Sequence, residues 1–463
     1  MAAPRVCLII EGSYPYITGG VSAWVHQLIS DSPAIDFSIF SLSPEADQPL
    51  RYQLPGNVRE HVDMVISRRG RSRGRLKNSR RLFENLHHIH KQLETGSAPD
   101  LQELIAGLPA GYFLYQDAIK NEVAWQMLTA GNRRHNPVYP FADYFWSWKS
   151  AHDMIFTALG SPAPQADLYH AVSTGYAGLA ACAAKIKTGK PYILTEHGLY
   201  HKEREMEIKR ASFVRGYQRD MWTKIYYGLS RLSYRYADLI IALFEYNRQR
   251  QIELGADKNK TRVIPNGIDV QRYAAVRREK REGFHVGLVG RVVPIKDIKT
   301  FITAAKIITE SIPEARFYCI GPTDEDEAYY EDCRLLVKSF KLEERFTFTG
   351  RQDVREYYAF LDALMLTSVR EAQPLVVLEA YCAGVPVVST RVGNVPELLD
   401  FDERFLAPSK DPDKLAAGVS YIHGHQLEVQ KLVSRNRETV LKFYDRKEVH
   451  RTYQNLYHSM TGA

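Results

Sequence analysis

The stretch SVREAQPLVVLEAYCAGVPVVST, Ser368 to Thr390, carries two glutamates, Glu371 and Glu379, with seven residues between them. Pro374 stands where a helix would begin, at a first position that needs no N–H donor. Glu379 then falls inside an apolar run, and acids in such surroundings are usually paired or functional. The free N–H groups at a helix start, here those of Leu375 and Val376, act with the helix dipole as an anion site, most naturally for phosphate. Glu379, about a turn and a half further on, could take two hydroxyls of a ribose attached to that phosphate. Glu371, ahead of the helix, would face whatever lies beyond the phosphate.

Three more stretches could take part. In VGLVGRVVPIKDIKT, Gly287 and Gly290 allow a tight turn at a strand end. Arg291 and Lys296 follow, five apart, at the start of the next helix, and two cations there suit a pyrophosphate. In EGSYPYITGGVSAWVHQLI a strand ends at Glu11, Gly19-Gly20 lie in the loop, and a helix begins near Ser22. Paired glycines let backbone approach a ligand closely. In YILTEHGLYHKERE, His197 follows a buried strand directly.

These residues need strands to hold them. RVCLIIEG, DFSIFSL, LYHAVS, YILTEHG and LIIALF in the first part, and FHVGLVGR, RFYCIGP, RFTFTG, ALMLTS and VPVVST in the second, read as strands alternating with helices. Continuous apolar runs indicate parallel strands covered on both faces. The expected fold is α/β, with two Rossmann-like, doubly wound parallel-sheet domains whose carboxyl strand ends face a central cleft. The seam is expected near the Pro-Asn-Gly turn of RVIPNGIDVQRY. That gives an N-terminal domain at 1–270, a C-terminal domain at 271–440 and a helix at 441–463. Residues from about 67 to 166 read as a helical insertion in the first domain. It opens with the basic run Arg68 to Arg81, read as a mobile loop.

At 463 residues the chain is too long for one ordinary core. The net charge of +7 suggests affinity for something anionic without saying what. No apolar run reaches the roughly 20 residues of a membrane helix. The short apolar run near the N-terminus reads as a strand rather than a signal peptide. The five cysteines lack CxxC spacing and read as buried thiols of a reducing compartment, so a cytoplasmic location is expected.

In order and spacing, the strand–GG–helix, the strand-end His, the GR…K and the E-x7-E followed by AGVPVVST and GNVPELL resemble the GT-B glycosyltransferases of family 4. The resemblance covers nearly the whole chain apart from the helical insertion, and it implies that the helix at 441–463 crosses back to the N-terminal domain. It implies a retaining enzyme that takes a hexose from a UDP-sugar, UDP-glucose first among them, and needs no bound metal or other cofactor. Arg291 and Lys296 would bind the diphosphate, with Gly19 and Gly20 lining it from the N-terminal domain. Glu379 would bind the ribose and Glu371 the donor sugar, while His197 would contact the sugar near C6. A departure is Ala372-Gln373-Pro374 where many relatives carry Gly-Phe-Gly, which bears on the identity of the sugar. More narrowly, EGSYPYITGGVSAWVHQLI, YILTEHGLYHKERE and PNGID resemble the cytosolic glycosyltransferases of bacterial exopolysaccharide synthesis. The partners implied are a polysaccharide acceptor and inner-membrane synthase subunits, with peripheral membrane attachment through them and no nucleic acid. Two other readings stay open: a non-catalytic nucleotide-sugar-binding subunit of such a synthase, and a GT-B UDP-N-acetylhexosamine epimerase.

Overall fold

A computed structural model describes residues 3–65, 79–94, 98–108, 122–135, 140–212, 214 and 216–462. Two compact units divide the chain: Met1–Ile264 with His450–Ala463, and Pro265–Val449.

Among the described residues, unit 1 holds a seven-stranded sheet in the order β3-β2-β1-β4-β5-β6-β7. Its strands are β1 (Arg5–Glu11), β2 (Asp36–Ser43), β3 (Val58–Val65), β4 (Leu168–Ala171), β5 (Tyr192–Glu196), β6 (Leu239–Ala242) and β7 (Thr261–Val263). All pairs are parallel. The central strands are buried almost end to end, as the apolar runs predict. The sequence reading misses β3 and β7. β3, VREHVDMV, mixes charged and apolar residues because it is a half-exposed edge, and β7 has only three residues.

The described part of the insertion is helical as expected, with helices Ser79–Glu94, Gln102–Gly107, Glu122–His135 and Phe141–Gly160. Leu82, Phe83, Leu86, Leu104, Leu128 and Trp148 join one core with β1 and the helix Tyr176–Thr188, so the insertion extends this unit's core. Of the basic run, Arg68 to Lys77 lie outside the described residues. Arg80 and Arg81 stand on the first insertion helix near Glu84 and Glu103.

Unit 2 holds a six-stranded parallel sheet in the order β10-β9-β8-β11-β12-β13. The strands are β8 (Phe284–Val289), β9 (Ala315–Ile320), β10 (Phe346–Gly350), β11 (Ala363–Leu366), β12 (Val387–Thr390) and the two-residue β13 (Leu406–Ala407), also missed by the sequence reading. In each sheet the order reverses once, between β1 and β4 and between β8 and β11. Ligands of doubly wound sheets bind at such a reversal, outside the carboxyl ends of the strands.

The C-terminal text, expected as one helix from 441, is two. Gln426–Phe443 ends, and Arg446–Thr461 starts afresh. The break arises because Asp445 accepts the Lys447 N–H at 2.9 Å and the chain there pairs with Ile268. The second helix buries Tyr453 and Tyr457 completely in unit 1. Tyr457 OH hydrogen-bonds His170 Nδ1 at 2.7 Å, and His170 Nε2 reaches Thr195 Oγ1 at 2.8 Å. Thr195 in turn meets Tyr453 OH at 3.3 Å. Among the described residues no helix is long and apolar enough to cross a membrane.

Candidate active site

In unit 2, β8 delivers the chain to Gly290 and the exposed Arg291, and a single 3-10 turn, Pro294–Lys296, follows. The helix proper starts only at Ile298, so Lys296 precedes it instead of opening it. The delay is backbone geometry: Asp297 is left-handed at φ 49°, and its carboxylate accepts Thr300 Oγ1 at 2.7 Å. The turn is fastened to the end of β11. Thr367 Oγ1 donates to Lys296 O at 2.7 Å and Val369 N to Ile295 O at 2.9 Å.

This fastening brings together two of the candidates. Lys296 Nζ and Glu371 Oε1 form an ion pair at 2.5 Å, both side chains mostly shielded from solvent. The same carboxylate oxygen accepts Ser368 Oγ at 2.7 Å. Arg291 pairs elsewhere, with Glu325 at 2.7 Å. The helix carrying Glu379 runs Leu375–Cys382, with Pro374 as its N-cap at φ −74° and no side-chain cap. Pro374 is thus one residue earlier than its sequence reading, and Leu375 and Val376 open the helix.

Glu379 is half-buried and stands with two tyrosines. Tyr358 OH donates to Oε2 at 3.4 Å, and the Tyr273 hydroxyl lies near enough to the carboxyl to favour its charged form. Burial raises the Glu379 pKa, and the two hydroxyls and Arg272 oppose that rise. The loop ahead of the helix is fixed as well. Gly393, at φ +52°, leaves room that a Cβ would not, since that atom would lie 1.9 Å from Ala372 O. Asn394 N donates to the same oxygen at 3.0 Å.

In unit 1, Gly19 is extended (φ 174°) and is the N-cap of the helix Gly20–Ser30, which begins two residues before its expected start at Ser22. Among the described residues, apart from chain neighbours and the helix's own backbone, no heavy atom lies within 4 Å of where a Cβ of either glycine would stand. His197 follows β5. Its ring meets Trp24 edge-on at 4.6 Å, and its Nε2 is shut off from solvent with no hydrogen-bond partner among the described residues. Burial lowers the ring's pKa to about 4, so His197 is neutral at pH 7.

The residue before it, Glu196, is buried and accepts four hydrogen bonds. Tyr234 OH donates at 2.7 Å, Gln251 Nε2 at 3.0 Å, Tyr200 N at 3.0 Å and Thr174 Oγ1 at 3.3 Å. Glu11 does similar work at the end of β1, accepting Tyr176 N at 2.7 Å and Tyr200 OH at 2.9 Å. These two acids tie the helices starting at Tyr176 and Tyr200 to the strand ends beside His197. Sequence reasoning missed Glu196, Tyr273 and Tyr358, most of whose partners lie far away in sequence, and Ser368, which is three residues from Glu371 but whose type alone gave no signal. It had a signal only for Gln373, as a departure from a motif.

Two Rossmann-like parallel sheets, with cations, acids and a helix start gathered at the strand-order reversal of the second, define a GT-B fold. The chain belongs to the family described as "Domain of unknown function (DUF3492)", whose model matches residues 4–259, and residues 283–424 match "Glycosyl transferases group 1". N-acetyl-alpha-D-glucosaminyl L-malate synthase of Bacillus anthracis is 29% identical over 179 residues, covering 38% of this chain and 45% of that protein. The putative teichuronic acid biosynthesis glycosyltransferase TuaC of Bacillus subtilis is 26% identical over 344 residues, covering 70% of this chain and 80% of TuaC. The crystal structure of HepE of Anabaena in complex with UDP is similar at TM-score 0.63 and 16% identity, covering 98% of this chain and 100% of that one. A likeness at that identity concerns the fold. The chain spans less than half the length of the malate synthase relative.

Proposed function

We propose that this protein is a retaining, metal-independent glycosyltransferase that transfers a hexose from a UDP-sugar, UDP-glucose first among them, to a growing exopolysaccharide. The observation that carries the reading is one constellation at the β8/β11 reversal: Lys296 paired with Glu371, and Glu379 on the helix that opens just beyond. Arg291, Lys296 and the N–H groups of Leu375 and Val376 are a diphosphate-binding set. Glu379, held by Tyr273 and Tyr358, is the ribose ligand. Glu371 faces the sugar hydroxyls.

In the transfer, the acceptor hydroxyl attacks the anomeric carbon on the face from which UDP departs. The bond from that carbon to the phosphate oxygen breaks, and the leaving oxygen takes the acceptor's proton. Arg291, Lys296 and the helix start stabilise the charge that develops on the diphosphate. No separate general base enters this scheme.

The exopolysaccharide assignment follows the resemblance of EGSYPYITGGVSAWVHQLI, YILTEHGLYHKERE and PNGID to PelF, the cytosolic glycosyltransferase of Pel polysaccharide synthesis in biofilm-forming bacteria. TuaC, described by its role in teichuronic acid biosynthesis, supports a polysaccharide product. In this reading the protein works at the cytoplasmic face of the inner membrane, alongside synthase subunits.

The test is incubation of purified protein with UDP-glucose, UDP-galactose, UDP-N-acetylglucosamine and GDP-mannose, with and without EDTA, following nucleotide release. Release from a UDP-hexose at the same rate in EDTA is the expected result. Release only from GDP-mannose, or only with added Mg²⁺ or Mn²⁺, overturns it.

A further inference from the structure

Gln373 takes no part in the chemistry proposed above, yet it is almost entirely buried at 7% exposure. Its Oε1 accepts the Asn266 N–H at 2.9 Å, and its Nε2 donates to Asn266 O at 3.1 Å. A side-chain amide thus supplies both halves of a backbone pairing, as a neighbouring strand would. Only a primary amide of this length does that. A carboxylate cannot donate and an aliphatic chain can do neither.

Both residues that Gln373 joins lie in well-braced surroundings. Asn266 belongs to the segment by which the chain enters unit 2, since the division falls between Ile264 and Pro265. Two residues on, Ile268 N donates to Tyr444 O at 2.8 Å, and Arg446 N donates to Ile268 O at 2.9 Å. Gly267 lies so close to this returning chain that a Cβ there would stand 2.4 Å from Arg446 Cα. On the other side, Gln373 continues the loop of Glu371 and Ala372, which Gly393 and Asn394 N hold from below. The entering segment, the returning segment and the loop of Glu371 therefore form one hydrogen-bonded layer, and Gln373 is its link to the loop.

We propose that Gln373 is a positioning residue that clamps the Glu371 loop to the entry segment at Asn266 and so fixes Glu371 against the donor sugar. The proposal rests on the donor-site reading for its consequence in turnover; the clamp itself is tested apart from it. A displacement of about 1 Å at a positioning group can cost about a hundredfold in rate.

Two variants make the test. Gln373→Leu keeps the volume and removes both hydrogen bonds, and Gln373→Glu keeps the acceptor for Asn266 N–H and loses the donor. Three measurements are read against the unmodified protein: amide hydrogen exchange at Asn266 and residues 371–373, UDP affinity by calorimetry, and UDP release from UDP-glucose. Gln373→Leu should speed exchange at those amides tenfold or more and lower turnover at least tenfold, with UDP affinity within about threefold. Gln373→Glu should fall between. Unchanged exchange in Gln373→Leu overturns the clamp whatever the donor. Faster exchange with unchanged turnover overturns its positioning role, as does a fall in UDP affinity that matches the fall in turnover. An unmodified protein that binds no UDP defeats the donor-site reading instead, and the exchange measurement still decides the clamp.

Discussion

Two acids eight positions apart have opposite surroundings, and that difference sets what each replacement should do. Glu371 is compensated by the ammonium of Lys296 and by Ser368. Glu379 has neutral hydroxyls for partners, and burial raises its pKa. Glu379→Ala should weaken UDP binding by ten- to hundredfold, the effect of losing charge-assisted hydrogen bonds of about 1.5–3 kcal/mol. Glu371→Ala frees Lys296, so UDP affinity should hold within about threefold while sugar transfer falls a hundredfold or more. Titration of UDP into both variants checks this, and equal losses of affinity would refute the division of roles. His197 makes a second case. Its pKa is about 4 in the fold, against about 6.5 in an unfolded chain. Below pH 6.5 the unfolded state binds the proton first. The stability this ring contributes is therefore present above pH 6.5 and is lost as the pH falls toward 4. At pH 5.5 the loss is about 1.4 kcal/mol. His197→Gln should reduce the difference in unfolding free energy between pH 7.5 and 5.5 by about that amount in urea melts. An unaltered difference would mean that the ring titrates as freely in the fold as outside it.

At the scale of elements, a turn's sequence shows that it turns but not what it turns around. Gly393 illustrates this: GNVPELL announces a turn, and only the fold reveals Ala372 O lying where a side chain would go. Gly393→Ala combines that collision with a strained φ of +52°. It should destabilise unit 2 by about 1–3 kcal/mol and reduce turnover through the Glu371 loop. Denaturant melts and UDP release measure the two effects, and a variant as stable and active as the parent would show that the loop yields freely. The central strands were legible because each is apolar along its length, the consequence of helices on both faces. β3, β7 and β13 were not, since an edge strand needs less apolar sequence and two or three residues give no period to read. The same limit applies to the site. Glu371, Glu379, Arg291 and Lys296 were legible from type and spacing, and the structure joins Lys296 to Glu371. Tyr273 and Tyr358, which hold Glu379, lie on two short helices whose sequences carry no sign of it.

For the whole molecule, the chain passes between its two units twice, at Ile264/Pro265 and at Val449/His450, and every unit 2 residue of the proposed donor site lies between those passages. Each unit has its own buried core. A ligand that binds the native state alone adds about 2.7 kcal/mol at a hundred times its dissociation constant, and that stabilisation belongs to the part whose unfolding destroys the site. Arg291, Lys296, Glu371 and Glu379 all lie in unit 2, so UDP should protect that unit before the other. Hydrogen exchange in sub-denaturing urea, with and without UDP at a hundred times its dissociation constant, resolves the two. Amides in β8, β11 and the helix Leu375–Cys382 should slow to the full extent of the binding free energy. Those in β2 and the helix Tyr176–Thr188 should slow much less, and EDTA should change neither. Slowing of equal size in both units would mean that they unfold as one. Slowing greater in unit 1 would place the nucleotide on the other sheet and overturn the assignment of these four residues.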